Sequence, residues 1–298
     1  LEFVDIAGLV KGASKGEGLG NQFLSNIRET DAIIHVLRCF EDGDITHVEG
    51  SVDPIRDAET IETELMLADL ESLERQMTNA EKKARSGDKE IQAQLVLMER
   101  AKALLDEGKP ARTLDVDSDE AKAFKMLQLL TAKPILYVCN VKEEDAASGN
   151  EHSQRVAEMA AQQGAQSVVI CAAIESEIAQ LDSDAEKAEF LETMDLEEPG
   201  LNKIIRAGFK LLGLQTYFTA GPKEARAWTV PVGAKATQAA GVIHTDFEKG
   251  FIKAEVIAFD DYIAAQGEQG AKEQGKMRQE GKDYVVQDGD VILFRFNV

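Results

Sequence analysis

Cysteine, tryptophan, histidine and positive charge are all scarce in this chain of 298 residues, which has 3 Cys, 1 Trp, 4 His and 33 Lys+Arg against 54 Asp+Glu. Cys39, Cys139 and Cys171 stand far apart and each ends an apolar run, so they read as reduced strand residues rather than as a disulfide framework or a thiolate metal site. His35, His47, His152 and His244 share no ligand spacing, which argues for structural or surface histidines over a metal centre. Long hydrophobic runs are missing too: stretches such as 32–37 and 134–139 fall far short of the roughly 20 residues a membrane helix needs. No signal-peptide pattern opens the chain, so a cytoplasmic location and no membrane partner are expected.

The net charge of −21 argues against non-specific adhesion to nucleic acid, and no DNA partner is expected. The excess is local, since residues 214–298 carry 10 basic and 12 acidic residues, a net of −2, which leaves −19 for residues 1–213. The C-terminal part is therefore a different surface, near enough to neutral to permit RNA contact without demanding it. A further absence bears on phosphate binding. No G-x-x-x-x-G-K-[ST] occurs, because the Gly-Lys pairs at Gly108, Gly275 and Gly281 are followed by Pro110, Met277 and Asp283.

What is present begins at Val4-Asp5-Ile6-Ala7-Gly8-Leu9-Val10, followed by Gly12, Gly16, Gly18 and Gly20. This reads as a strand, Leu1 to Ile6, that delivers Asp-x-x-Gly to a phosphate: Asp5 would hold Mg2+ through water, and the Gly8 N–H would turn toward a terminal phosphate. Further strand-like runs at 33–40, 134–140 and 167–172 alternate with helical patterns, the signature of a parallel sheet buried on both faces. Asp5 and Asn140 lie 135 residues apart, where two strand–helix–strand steps need only about 60, so an insert is expected at about 53–108. There Leu70, Leu73, Met77, Ala80 and Ala84 form one helical stripe, and Ile91, Leu95, Met98, Ala101 and Leu105 form a facing one, with a turn at Ser86-Gly87-Asp88. This predicts an antiparallel helical arm; the alternative is two ordinary helices packed on the sheet.

The second chemical signal is Asn140-Val141-Lys142-Glu143, at the carboxyl end of the Tyr137 strand, where open parallel sheets bind ligands. Guanine-specific switch proteins carry Asn-Lys-x-Asp there, whose carboxylate accepts from the guanine N1–H and 2-amino donors. In this chain the acid is Glu143, one methylene longer, and Val141 replaces the lysine. Adenine has an acceptor at N1 and no 2-amino group, so a carboxylate built for guanine would gain nothing from it, and the departure disfavours GTP. The tips of the opening strand and the Tyr137 strand are expected to face a shared cleft for a purine triphosphate.

These residues carry a resemblance. The stretch from Asp5 to Ala13, with Gly16-x-Gly18-Leu19-Gly20-Asn21, is similar to the Obg-type GTPase superfamily, and the Asn140-Val141-x-Glu143 variant together with the helical arm resembles its YchF branch, the Obg-like ATPases. The likeness runs on through 45–50, Asp53-Pro54, 215–219, 226–228, His244-Thr245-Asp246-Phe247 and Asp288-Gly289-Asp290. It implies an α/β fold: a P-loop NTPase-type parallel sheet, N-terminally incomplete, over residues 1–198, with the helical arm as an insert. A connecting helix at 199–213, ended by Gly213, and a C-terminal β-grasp (TGS) domain at 214–298 would follow. In the last segment, runs at 226–232, 251–258, 283–286 and 291–296 are β-prone. Leu1 is not Met, and the segment that in the family bears the P-loop lysine is expected to be absent, so the chain as it stands should bind nucleotide weakly.

The resemblance further implies an ATP-binding, ATP-hydrolysing switch that uses ATP and Mg2+ and associates with the ribosome, through large subunit or rRNA, by its arm and TGS domain to regulate translation or stress response. A GTPase of the Obg type and a non-catalytic ribosome- or RNA-docking scaffold stand as alternatives. Asp5 and Gly8 would be the catalytic pair, with Asp5 also the water-mediated metal contact. Asn140, Val141 and Glu143 would frame the base, and the turn Cys171-Ala172-Ala173 would pass its backbone beside it. Leu9 stands where many relatives have a water-orienting glutamine, so turnover should be slow. Trp228 reads as core packing or base stacking, His244 as a turn residue, and Lys11 and Lys15 as solvated or phosphate-assisting.

Overall fold

The computed structural model describes residues 1–6, 19–43, 50–84 and 88–297. They form two compact units, residues 1–208 and 209–298, each with its own sheet.

In the first unit the strands β1 (Ile33–Arg38), β2 (Ile135–Asn140) and β3 (Gln166–Ile170) run parallel in the order β1-β2-β3. β2 is central, and Ile135 through Cys139 are all buried, which is why it reads as an unbroken apolar run. Its period-two residues Ile135, Tyr137 and Cys139, continued by Val141, share one face with Leu37 and Cys39 and pack under Ala58, Val156 and Ala160. Those three come from α2 (Pro54–Ala84) and α5 (Glu151–Gln162). The remaining helices of the unit are α1 (Leu19–Glu29), α3 (Lys89–Asp106), α4 (Ala121–Met126), α6 (Ala172–Ile178), α7 (Asp184–Thr193) and α8 (Gly200–Leu211), the last running across the unit boundary.

One expectation fails here: residues 1–6 form no strand. A strand needs a partner for its backbone N–H and C=O groups, and residues 1–6 pair with none of the three strands, although β1 and β3 each have only one neighbour. Leu1, Phe3 and Val4 stay roughly half exposed, while Ile6 packs against Leu24, Ile27, Leu65 and Leu130. Gly8, Leu9, Lys11, Lys15 and the turn residues Ser86 and Gly87 lie outside the described residues.

Two long helices, α2 and α3, lie in the expected insert. α2 is 31 residues long, roughly 46 Å at 1.5 Å per residue. It starts at Pro54, whose missing N–H costs nothing at a first helical position, behind Asp53, whose Oδ1 accepts from the Ile55 N–H at 3.2 Å. Its first half lies on the sheet through Ala58 and on α1 through Leu65 and Ala68, and its second half pairs with α3. The expected stripes meet there: Leu73, Met77 and Ala80 face Ile91, Met98, Ala101 and Leu105. The pair is not bare, because Ala111, Phe124, Leu127 and Leu129 from the following segment pack into the same cluster. Asp88 caps α3, accepting from the Glu90 and Ile91 N–H groups.

A buried acid and a half-buried acid of α2 tie that helix to the segment between α3 and β2. Asp69, fully buried, accepts from Leu130 N (2.7 Å), Thr131 N (2.8 Å) and Thr131 Oγ1 (2.7 Å), and Thr131 Oγ1 in turn accepts from Ala111 N at 3.0 Å. Burial pushes the Asp69 carboxyl above its usual range and the three donors pull it back down. Glu62 pairs with Arg112 at 2.6 Å, and Lys133 reaches the carbonyls of Arg28 and Thr30 at the end of α1. Under this layer burial pushes His35 down to about 4 against the opposing pull of Glu62 and Asp57, and pushes Tyr137, whose hydroxyl donates to Gln163, up to about 12.

In the second unit β4 (Leu214–Ala220), β5 (Ala225–Pro231), β6 (Phe251–Ile257), β7 (Arg278–Glu280) and β8 (Val291–Phe296) form a mixed sheet in the order β5-β4-β8-β6-β7. Only the β4–β8 pair is parallel. Ala236, Ala239 and Ala240 of α9 (Ala236–Ile243) bring that helix close over Tyr217, Val256, Ile292 and Phe294. Three short helices complete the unit: α10 (Thr245–Lys249), α11 (Phe259–Ala264) and α12 (Glu268–Glu273). The expected run at 283–286 forms no strand: it makes an isolated bridge, Lys235 with Val285, in which Ala236 N donates to Tyr284 O at 2.8 Å and Val286 N to Ala234 O at 3.0 Å, and the partner chain turns into α9 at Ala236, which ends the ladder there. Trp228 packs against the core, donates to Thr219 Oγ1 at 2.9 Å and carries the Arg226 guanidinium 4.2 Å above its ring.

Candidate functional site

The carboxyl ends of β1, β2 and β3 gather Cys39, Asn140 and Cys171 on one rim. Asn140 is the last residue of β2, and its Oδ1 accepts from the Ala172 N–H at 2.9 Å. That bond joins the two segments singled out as base contacts, although 32 residues separate them. The backbone repeats the link, with Val141 N donating to Ile170 O at 2.9 Å and Cys39 N donating to Asn140 O at 2.8 Å.

Around this rim the candidate residues divide. Lys142 and Glu143 are exposed, Glu143 opening a short 3-10 turn, Glu143–Asp145. Ala172 and Ala173 are exposed on the first turn of α6. Val141 is 2 % exposed, its side chain in the core beside Cys39 and Cys139, so what it can offer a ligand is its backbone. Cys171 is likewise buried, against Ala146, Ile174, Ile178 and Leu191. The expected turn at Cys171 is instead the start of a helix, with Cys171 as its N-cap residue. A thiol there packs as a small hydrophobe.

Asp5 is exposed and belongs to no strand, and its expected partner Gly8 lies outside the described residues. No sheet position therefore brings Asp5 beside Asn140. Among the described residues no group of three or more His, Cys, Asp or Glu side chains could hold a metal ion. Magnesium at nucleotide sites keeps its waters and takes only one or two carboxylates, with phosphate oxygens completing the shell. A single exposed carboxylate such as Asp5 fits that role and would not suffice for a cage made by protein alone. Among the described residues no helix is long and apolar enough to cross a membrane.

Sequence reasoning missed two residues that shape this rim. Asn150 caps α5 and also reaches Cys39 and Asp145; its only local trace is the Asn-x-x-Ser capping spacing with Ser153. Glu175 of α6 accepts from Gly200 N (2.6 Å) and Leu201 N (3.1 Å), anchoring the start of α8 to the helix that follows β3. Nothing local announces it, since its partners are 25 and 26 residues away.

Family models match both ends of the chain: one described as a 50S ribosome-binding GTPase over residues 1–68, and the YchF-GTPase C-terminal model, described as a protein of unknown function, over residues 214–297. Among curated proteins, the chain is 61% identical over its whole length to the "Ribosome-binding ATPase YchF" of Haemophilus influenzae and 60% identical to that of Pasteurella multocida, covering 82% of each. It is 54% identical to the protein of the same name from Bacillus subtilis, covering 81% of it. The solved structure of the Schizosaccharomyces pombe YchF GTPase superimposes with a TM-score of 0.83 at 36% identity, covering 97% of this chain and 78% of the other. A Pyrococcus horikoshii GTP-binding protein, at 20% identity and a TM-score of 0.58, shares the fold. The chain belongs to the YchF family.

Proposed function

We propose that this protein is an ATP-binding and ATP-hydrolysing switch that associates with the ribosome and regulates translation or stress response in the cytoplasm. The observation that carries the nucleotide part is the Asn140 Oδ1 bond to Ala172 N, which joins the loop after β2 to the start of α6 as one continuous rim at the carboxyl edge of a parallel sheet. Asn140, with the backbone at Val141 and the exposed Glu143, would frame the base from one side, and Ala172 and Ala173, with Cys171 behind them, from the other. The absence of the Lys and Asp of the guanine-reading pattern favours adenine. The names of the bacterial relatives support ATP and the ribosome; the fission-yeast relative, named a GTPase, makes GTP the second reading.

On the phosphate side Asp5 would hold a water on the metal and the Gly8 N–H would donate to the γ-phosphate. Magnesium, when bound, supplies charge neutralisation to the β- and γ-phosphates. Leu9 has no group to orient an attacking water, so intrinsic turnover is slow. The near-neutral residues 214–298, as a TGS domain, and the α2–α3 arm are the surfaces assigned to the large subunit or rRNA. Two measurements on the complete gene product test the reading. In titration with ATP and GTP, ATP should bind more tightly, and tighter GTP binding would overturn the assignment of the base. In sedimentation with ribosomes, co-sedimentation should change between the ATP and ADP states; co-sedimentation blind to nucleotide, with no phosphate release, would leave a docking scaffold.

A further inference from the structure

We infer that Asn150 is a positioning residue for purine discrimination, holding the Glu143–Asp145 turn at a fixed distance from Asn140. The inference rests on the reading of that loop as the base contact and adds to it a residue that touches no ligand.

A helix cap uses only part of Asn150. Its Oδ1 accepts from Ser153 N at 3.1 Å, and its own N–H donates to Ser153 Oγ at 2.8 Å, the reciprocal pair of a capping box. The side-chain amide has another task. Nδ2 donates at 2.8 Å to Cys39 O, just beyond β1, and at 2.8 Å to Asp145 Oδ2, at the end of the turn that begins with Glu143. One planar group therefore clasps the tip of β1, the base loop and the start of α5. The loop is held at its other end by Val141 N on Ile170 O and by Asn140 Oδ1 on Ala172 N.

The return from the turn to Asn150 has little slack. Gly149 N donates to Asp145 O at 2.7 Å, and Gly149 adopts φ +73°, where a Cβ would stand 2.6 Å from Ser153 Oγ. Between Val141 and Asp145 the side chains of Lys142, Glu143 and Glu144 face solvent. Adenine and guanine differ at N1 and C2 in the sign of their hydrogen-bonding groups, so the reach of the Glu143 carboxylate decides which base it penalises. Asn150 sets that reach without contacting the base.

The test separates the cap from the clasp. Asn150→Asp and Asn150→Ser both keep a side-chain oxygen for Ser153 N and both lose the Nδ2 donor; Asn150→Asp also sets a carboxylate against Asp145. Dissociation constants for ATP and for GTP, and the melting temperature, are measured on the complete gene product. The ratio of the two constants should move by roughly three- to tenfold in Asn150→Asp, about the worth of one of the two hydrogen bonds lost with Nδ2. The double variant Asn150→Asp/Asp145→Asn, which restores a donor–acceptor pair in reverse, should recover part of it. Should Asn150→Asp fail to fold, the ratio in Asn150→Ser decides. A purely structural role would lower the melting temperature and weaken both nucleotides equally; an unchanged ratio overturns the inference. If the unaltered protein prefers GTP, the adenine reading falls, and a shifted ratio in Asn150→Asp still upholds the positioning role.

Discussion

Replacing Asp69 by alanine removes from the first unit a fully buried carboxylate that accepts three hydrogen bonds. The carboxylate satisfies three buried donors, Leu130 N, Thr131 N and Thr131 Oγ1, all at 2.7–2.8 Å, on the segment that feeds directly into β2. Hydrogen bonds to a charged group contribute about 1.5–3 kcal/mol each, and donors left buried without a partner cost about 1–3 kcal/mol. Water entering the space left by the side chain recovers part of this, so a net loss of about 3–4 kcal/mol is expected, a large share of the roughly 5–15 kcal/mol that holds a typical domain folded. Urea unfolding followed by circular dichroism at 222 nm reads this change, because α2 and α3 supply much of the helical signal; the midpoint should fall with the slope unchanged. Thr131→Val, which removes the hydroxyl shared by Asp69 and Ala111 N, should cost about 1–2 kcal/mol, and the double variant should fall short of additivity by about 1 kcal/mol. A loss below about 1 kcal/mol for Asp69→Ala, or strict additivity with Thr131→Val, refutes the claim that this cluster ties the helical insert to β2.

His35 makes stability sensitive to acid. Its folded value near 4 lies below the unfolded 6.5, so its contribution is complete above about pH 6.5 and is lost as pH falls toward 4. The full span is at most about 3 kcal/mol, and His35→Gln should flatten that part of the pH–stability curve. At the start of α8, Glu175→Ala should cost about 1–2 kcal/mol and speed hydrogen exchange at the Gly200 and Leu201 amides, with exchange elsewhere in the helix little changed. Gly200→Ala should cost about 1–3 kcal/mol, because a Cβ there meets Ile170 Cγ2 at 2.7 Å and Glu175 Oε1 at 2.9 Å; a neutral outcome in a thermal melt would show that α8 can shift to make room.

The parts of this molecule governed by local pattern were legible in its sequence. β2 is an unbroken apolar run because both its faces are covered, and the facing stripes of α2 and α3 repeat at helical spacing because they share one core. The opening run misled: Val4, Ile6 and their neighbours have strand propensity, but propensity alone does not supply a neighbouring strand. The run at 283–286 misled in the same way, since its partner chain turns into α9 after a single bridge. Asn140 and Glu143 could be singled out because chemistry concentrates at the carboxyl ends of parallel strands. Asn150, Asp69 and Glu175 could not, since Asn150 and Asp69 bond to residues 111 and 61 positions away and Glu175 to one 25 positions on, and no spacing encodes such a pairing.

The central claim is that Asn140 and the loop after it read an adenine base. Its most direct measurement is the equilibrium affinity of the complete gene product for ATP and for GTP, before and after Asn140→Ala. The account predicts tighter ATP than GTP binding and, in Asn140→Ala, a loss of roughly tenfold or more for ATP, as the base and the Ala172 amide lose a shared partner. Equal or tighter binding of GTP, or ATP affinity untouched by Asn140→Ala, would contradict it.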